Sequence, residues 1–343
     1  MLPQSQDTKS FDSPHQLQDT DVRKLDIEKN MPEKNQHRWG IILAGGDGRR
    51  LQQYVKTHYG VDSPKQFCTF YGDRSMLRHT IDRAQVCIPN EHIIIVITKH
   101  HLSYAEKDLS DRPEGTVVIQ PKNRETGPAI LLPLLRILLL DPEAQVAIFP
   151  SDHFVQREKR FMEYVETAFN FTNVLPEYIN LLGIPAHGMQ NGYGWIERGE
   201  IIGSRSGVEL CQVKRFVEKP ALTTAPRIQS EKYFWNTFTM IGHISMFLNL
   251  AGSMMPEVYY PMGKIFSVMG TPEEDKVVEE VYNNIPAINF SQAVLERSVE
   301  CLSVLLLRDV YWNDWGEESR VQSDLTWLGN SLNPLSRVAV MSA

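Results

Sequence analysis

Four cysteines are few for 343 residues, and Cys68, Cys87, Cys211 and Cys301 lie far apart, with no pair at zinc or redox spacing. That leaves reduced structural thiols and a cytoplasmic location as the expectation. Positive charge is not in excess: 35 Lys and Arg stand against 42 Asp and Glu, a net charge of −7. This argues against a protein devoted to nucleic-acid backbones, which needs a basic face. It does not argue against a small phosphorylated ligand, which needs only a few local cations. Long apolar runs are missing too. The most apolar stretch, Ala129 to Leu140, has 12 residues and is interrupted by Pro133 and Arg136. It is too short for a bilayer and suits a buried helix, so no membrane partner is expected. The N-terminus, MLPQSQDTKSFDSP, lacks the apolar core of a signal peptide. No fixed-period repeat, low-complexity tract, GxGxxG motif or Gly-Lys-Ser/Thr loop occurs. Apolar residue is not lacking, at 42%, so wholesale disorder is excluded and one large domain or two small ones fit the length.

Residues 1–37 hold eight apolar side chains and are rich in Gln, Asp and Lys. They are expected to form a flexible extension, with a short helix near Asp21 to Lys29. Order should begin at Trp39, where Trp39 to Ala44 forms a short apolar run entering Gly45-Gly46. Further strands are expected at His92 to Thr98, Thr116 to Gln120, Gln145 to Phe149 and Ile179 to Ile184. Helices should lie near Met76 to Val86, Gly127 to Leu140 and Lys159 to Phe171. This alternation of Ile/Val-rich strands with helices predicts βαβ units and a mainly parallel sheet. In the second half, strands are expected at Glu209 to Val217, Cys301 to Leu307 and Val310 to Trp312. Helices are expected at Ala221 to Lys232 and Gly270 to Asn284, with a buried segment at Phe238 to Phe247. Parallel sheets place ligands beyond the carboxyl ends of their strands, which selects the loops to consider.

Six segments carry candidate chemistry. Leu43-Ala44-Gly45-Gly46-Asp47-Gly48-Arg49-Arg50-Leu51 follows the first strand; its exposed N–H groups suit a phosphate, or the glycines serve a tight turn. Pro64-Lys65-Gln66 places a point cation, as a phosphate partner or a plain surface loop. Gln120 to Gly127 ends a strand in amides and a hydroxyl; it either reads a base edge or caps a helix through Thr126. Phe149-Pro150-Ser151-Asp152-His153 puts a carboxylate at the end of an apolar strand, where it needs a partner such as Mg2+, or caps a helix. His153 itself is expected to be a packed or hydrogen-bonded side chain without catalytic duty. Phe216-Val217-Glu218-Lys219-Pro220 offers a carboxylate for sugar hydroxyls and a lysine for a sugar phosphate, or a surface ion pair. Asp314, between Trp312-Asn313 and Trp315-Gly316, is a second metal carboxylate or a turn residue.

The series LAGGDGRRL, PKQF, QPKNRETGPAI, FPSDH, GYGWI, FVEKP, YFWNTF, NFSQAVLE and WNDWG resembles the sugar nucleotidyltransferases, and among them most the mannose-1-phosphate guanylyltransferases, over about residues 39–321. The resemblance implies an α/β, Rossmann-like nucleotidyltransferase fold with a mostly parallel mixed sheet. It implies Mg2+-dependent transfer of a nucleotidyl group from GTP to mannose 1-phosphate, releasing pyrophosphate, or the same reaction with another base or sugar such as glucose 1-phosphate. A non-catalytic sugar-nucleotide-binding relative is the other reading, which loss of Arg50, Lys65 or either aspartate would favour. By resemblance, Arg50 and Lys65 are the catalytic cations. Leu43, Ala44, Gly45, Gly46, Gly48, Gln120, Asn123, Arg124 and Thr126 bind the nucleotide. Gly194, Glu218, Lys219 and Asn236 bind the sugar phosphate, and Asp152 and Asp314 hold the metal. A homo-oligomer is compatible with the sequence, which does not fix it.

Three departures stand out. Thirteen residues separate Arg50 from Pro64, about four more than in the commonest relatives, so the loop over the triphosphate should be longer. The family often has Trp-Asn-Ser-Gly, where this chain has Trp235-Asn236-Thr237-Phe238 without the glycine. Many bacterial relatives carry a further isomerase domain and others a β-helix tail. With a catalytic domain at 38–321 and a tail at 322–343, neither has room, and one reaction is expected.

Overall fold

The structure, a computed structural model, describes residues 36–187, 190–221 and 232–331. The expected N-terminal extension falls almost wholly outside the described residues, as does most of the helix expected over Ala221 to Lys232.

Order begins with β1 (Arg38–Leu43), followed by α1 (Gln52–Tyr59), α2 (Met76–Ala84), β2 (Ile93–Thr98), α3 (Leu102–Leu109), β3 (Val117–Gln120), α4 (Thr126–Leu140) and β4 (Gln145–Pro150). The two-residue β5 (Phe154–Val155) precedes α5 (Glu158–Val174), β6 (Ile179–Pro185), β7 (Gly194–Arg205), β8 (Val208–Glu218) and β9 (Tyr233–His243). The chain continues through α6 (Ile244–Met254), α7 (Pro256–Phe266), α8 (Glu274–Asn284), α9 (Phe290–Ala293), β10 (Leu302–Leu306), β11 (Trp312–Asn313) and α10 (Glu318–Ser331).

Nine strands make one sheet in the order β3-β2-β1-β4-β9-β6-β10-β8-β7. The first four pair in parallel, as do β6 and β10, while β9 and β8 run against their neighbours. The sheet is therefore mixed, with seven of its nine strands running in one direction and β8 and β9 in the other. β7 also pairs with β9, so β9, β6, β10, β8 and β7 close into a ring. Central strands buried on both faces must be apolar throughout, and all six residues of β2 are buried.

Alternate residues of β1 enter different cores. Trp39 and Ile41 pack with α4, α6, α7 and α8, whereas Ile42 and Ala44 pack with α2 and α5. Among the described residues no helix is long and apolar enough to cross a membrane. The apolar run at Ala129 to Leu140 is a buried helix, α4, with Pro133 inside it.

The segment expected as a longer loop after Arg50 is helical. α1 ends on Gly60, in the left-handed conformation that closes helices. Tyr54 and Val55 of α1 join Phe70, Phe154, Trp315 and Val321 in a third small core. α10 supplies Val321 to that core and crosses the 321/322 boundary expected from sequence. The strand expected at Val310 to Trp312 shrinks to β11, paired with β5. The buried segment at Phe238 to Phe247 divides into the end of β9 and the start of α6, capped by His243 accepting from the Ser245 N–H.

The chain leaves β1 toward β2 on one side and returns to β4 on the other. The loops after β1 and β4 therefore flank a topological switch point, where open α/β sheets hold ligands.

Candidate active site

Two loops meet at that switch point. Gly48, in the first, has φ 62°, a conformation that glycine adopts without strain. A Cβ there would also come 2.9 Å from the Lys65 main-chain nitrogen. The glycine loop thus lies directly on the Pro64-Lys65-Gln66 turn. Gln66 fastens it: its Nε2 donates to the carbonyls of Ala44, at 3.0 Å, and Gly46, at 2.7 Å. Ser151, after β4, donates its hydroxyl to the Leu43 carbonyl at 2.7 Å. A Cβ on Gly45 would sit 2.9 Å from Gln120 Nε2, so the end of β3 closes the same loop from the other side.

Lys65 is 5% exposed and is the hub of the cluster. Its ammonium lies 3.0 Å from Asp152 Oδ2 and donates to the main-chain carbonyls of Asp314 and, at 3.3 Å, Trp315. Burial alone would raise the Asp152 carboxyl. The charges of Lys65, His153 and Arg50 outweigh burial and hold it below the usual carboxylate range. Asp314 Oδ1 accepts from Arg320 at 2.9 Å and from the Gly316 N–H at 3.0 Å, while its Oδ2 faces Arg50 at 3.9 Å. The Arg50 side chain is mostly exposed, a cation free to meet an incoming anion.

A second group of candidates meets where β7, β8 and β9 adjoin. Gly194 pairs with Glu218, and Trp195 with Trp235. A Cβ on Gly194 would reach 2.8 Å from Glu218 Oε2 and 3.3 Å from Asn236 Cβ. Burial pushes the Glu218 carboxyl up, against Lys219, whose Nζ lies 3.4 Å from Oε1. The expected sugar-phosphate residues therefore share one corner. Tyr193 joins the two groups: its hydroxyl accepts from Arg320, and its carbonyl accepts the Lys219 N–H at 3.1 Å.

The residues after β3 are held differently from the sequence expectation. Thr126 is not the helix cap; it is the first residue of α4, and its hydroxyl accepts the Phe290 N–H at 2.8 Å. Glu125 occupies the cap position, with φ 65° and no side-chain capping bond. Asn123 accepts the Glu125 N–H, and Arg124 donates to the Tyr282 and Asn283 carbonyls at the end of α8. Gln120 is buried and accepts from the Tyr282 hydroxyl at 3.1 Å.

Three residues given no role from sequence complete the cluster. Gln66 stands in the Pro64-Lys65-Gln66 motif and is the clasp of the glycine loop. Arg320 stacks over the Tyr193 ring, 4.7 Å from its centroid, and bonds Asp314. Asp324, one turn further along α10, accepts from Tyr311, Asn313 and the Trp315 indole at 2.6, 2.9 and 2.7 Å. Positions 320 and 324 share a helix face, the only sequence signal they carried.

The nucleotidyl transferase family profile matches residues 39–320. The chain belongs to that family. Curated relatives include the mannose-1-phosphate guanylyltransferase of Escherichia coli, 26% identical over 283 residues covering 80% of this chain and 59% of that protein. Mannose-1-phosphate guanylyltransferase RfbM of Salmonella typhimurium is 29% identical over 285 residues, covering 81% of this chain and 57% of that protein. The chain thus spans less than three fifths of the length of these relatives. A solved structure described as a mannose-1-phosphate geranyltransferase from Thermus thermophilus superposes with a TM-score of 0.69 at 22% identity, over 84% of this chain and 79% of that one. That likeness bears on the fold, which is that of the nucleotidyl transferases. In this member of the family the described catalytic candidates all lie within the matched residues.

Proposed function

We propose that the chain joins a nucleoside triphosphate to a sugar 1-phosphate and releases pyrophosphate, with GTP and mannose 1-phosphate as the pair. The observation that carries this reading is Lys65, a buried ammonium linking Asp152 to the Asp314 turn directly beneath the glycine loop. The names of the curated relatives support the choice of base and sugar.

In the proposed reaction an oxygen of the sugar phosphate attacks the α-phosphorus. The bond from that phosphorus to the bridging oxygen breaks, and pyrophosphate leaves with the electron pair. The attacking oxygen is already ionised, so no general base is needed. The demand is alignment and neutralisation of crowded negative charge. The exposed Arg50 would meet the triphosphate, Lys65 the reacting phosphates, and Lys219 the sugar phosphate, with Glu218 and Asn236 on sugar hydroxyls.

Asp152 and Asp314 fit a hard divalent cation. Asp152 Oδ1 faces His153 at 3.7 Å and Asp314 Oδ2 faces Arg50 at 3.9 Å, both beyond hydrogen-bond range. Each carboxylate thus presents an oxygen of the type Mg2+ prefers. When bound, Mg2+ would neutralise phosphate charge and orient the reacting groups. We take the catalytic unit as the expected 38–321 block extended through α10, because Arg320 and Asp324 hold the Asp314 turn.

The test is a pyrophosphate-release screen of the purified chain with Mg2+, crossing GTP, ATP, UTP and dTTP with mannose, glucose and other sugar 1-phosphates. Release with GTP plus mannose 1-phosphate alone is expected. Turnover with another pair would reassign base or sugar, and a folded chain silent with every pair would overturn the enzyme reading.

A further inference from the structure

We propose a second cation site, distinct from the carboxylate pair, in which Asp47, His100 and His101 bind a divalent transition metal of the zinc type. Asp47 lies in the glycine loop after β1, and the two histidines lie in the short turn after β2. One ligand atom from each of the three side chains lies within 4.8 Å of the others.

His101 makes this more than a chance gathering of surface groups. Its side chain is fully buried. Its Nδ1 is engaged by the Thr98 hydroxyl at 2.8 Å; its Nε2 makes no hydrogen bond of good geometry, the ring's other polar neighbour being the Ala44 main chain. Buried ring nitrogens are rarely left unpaired, and each such atom calls for a cause. A hydroxyl holding one imidazole nitrogen while the other waits is the arrangement that orients metal-binding histidines.

The other two ligands are within reach and free to adjust. His100 is exposed, and its Nε2 is 3.5 Å from Asp47 Oδ1. Its ring is tilted against that of His101 with centroids 4.0 Å apart. The competing group is Arg49, whose guanidinium is 3.0 Å from Asp47 Oδ2 and largely exposed, so a cation at the Asp47 carboxylate displaces little. Donors around a tetrahedral ion at ~2.0 Å sit about 3.3 Å apart; His100 and Asp47, at 3.5 Å, already have that spacing, and His101 lies within 4.8 Å of both.

Two imidazoles and one carboxylate form a borderline donor set. It favours zinc-type ions over Mg2+, which takes oxygen ligands. Three protein ligands leave a fourth position open to water or an anionic oxygen. A bound ion would clip the loop carrying Gly48 to the β2 turn, fixing the backbone that lies over Lys65. The site does not depend on the proposed reaction.

The test uses the full chain stripped with a chelator and titrated calorimetrically with ZnCl2 alone, in buffer containing excess MgCl2. One Zn2+ per chain is expected for the wild type. His100→Ala and Asp47→Asn should each weaken binding at least about tenfold, while thermal unfolding in chelator matches the wild type. His100 is exposed, so its replacement does not endanger folding. Absence of Zn2+ uptake by the wild type would overturn the proposal. So would binding by both variants within threefold of the wild type.

Discussion

The Lys65 ammonium lies 3.0 Å from Asp152 Oδ2 and donates to the Asp314 carbonyl, so one buried cation joins the end of β4 to the turn after β11. Asp152→Asn keeps the shape and removes the charge. Lys65 retains its two carbonyl acceptors and a third of Asp152 stays exposed, which limits the stability loss to about 1 kcal/mol. Turnover should fall at least about 100-fold, because the charge is aimed at the reacting phosphates. Pyrophosphate release and thermal unfolding, measured on the same preparation, check both halves. An active Asp152→Asn enzyme with unchanged Mg2+ dependence removes the metal assignment.

Arg320 holds Asp314 through one oxygen and Tyr193 through its hydroxyl and ring. It touches no proposed substrate position directly, so it is a positioning residue. Arg320→Ala should raise the Mg2+ concentration needed for half-maximal rate about tenfold, with a smaller change in KM for the triphosphate. Arg320→Lys keeps the charge but not the planar fork, and should recover only part of the loss. A Mg2+ titration unchanged in Arg320→Ala would mean that Asp314 is placed by the Gly316 N–H and Arg50 alone.

The parallel half of the sheet was legible because its strands are buried on both faces. Ile93 to Thr98 could hardly be anything else, and the loops after β1 and β4 follow from the strand order. The ring of β6 to β10 was not legible as such. β7, Gly194–Arg205, mixes Glu, Arg and Gly with apolar residues because it is half-exposed and bulged, so its period is broken. Of the candidate site residues, Asp152 and Glu218 were visible at strand ends and Lys65 in a Pro-Lys-Gln turn. Arg320 and Asp324 were not, because a helical Arg and Asp on the surface look the same in sequence as a pair reaching inward to Asp314 and Trp315.

His153 gives a pH signature. Burial pushes its imidazole down to about 4, against the pull of the Asp152 carboxylate. The unfolded chain takes up this proton near 6.5, while the folded chain resists until about 4. The contribution to stability is therefore complete above about pH 6.5 and drains away as pH falls toward 4. It is worth up to about 3 kcal/mol across that window. Asp152, depressed from 3.8, adds its own loss only below that range. Urea unfolding from pH 7.5 to 4 should show a shallower decline for His153→Gln than for the wild type. Parallel curves would mean that the imidazole is protonated in the fold without penalty.

Phe238 stands where the family resemblance leads to the expectation of glycine, and it adopts φ 59° with its N–H donated to Asn236 Oδ1 at 3.1 Å. A non-glycine residue in this conformation costs about 1 kcal/mol. The bulge of β9 that orients Asn236 is therefore kept at a cost, offset by the Phe238 ring packing against the main core. Removing the ring in two ways separates these effects. Phe238→Ala and Phe238→Gly both lose the packing, but only glycine relieves the backbone. Phe238→Gly should melt about 2 °C above Phe238→Ala, the reverse of the order expected where φ is negative. If the two variants melt together, or alanine is the more stable, the bulge relaxes without the ring and Asn236 owes its position to other contacts.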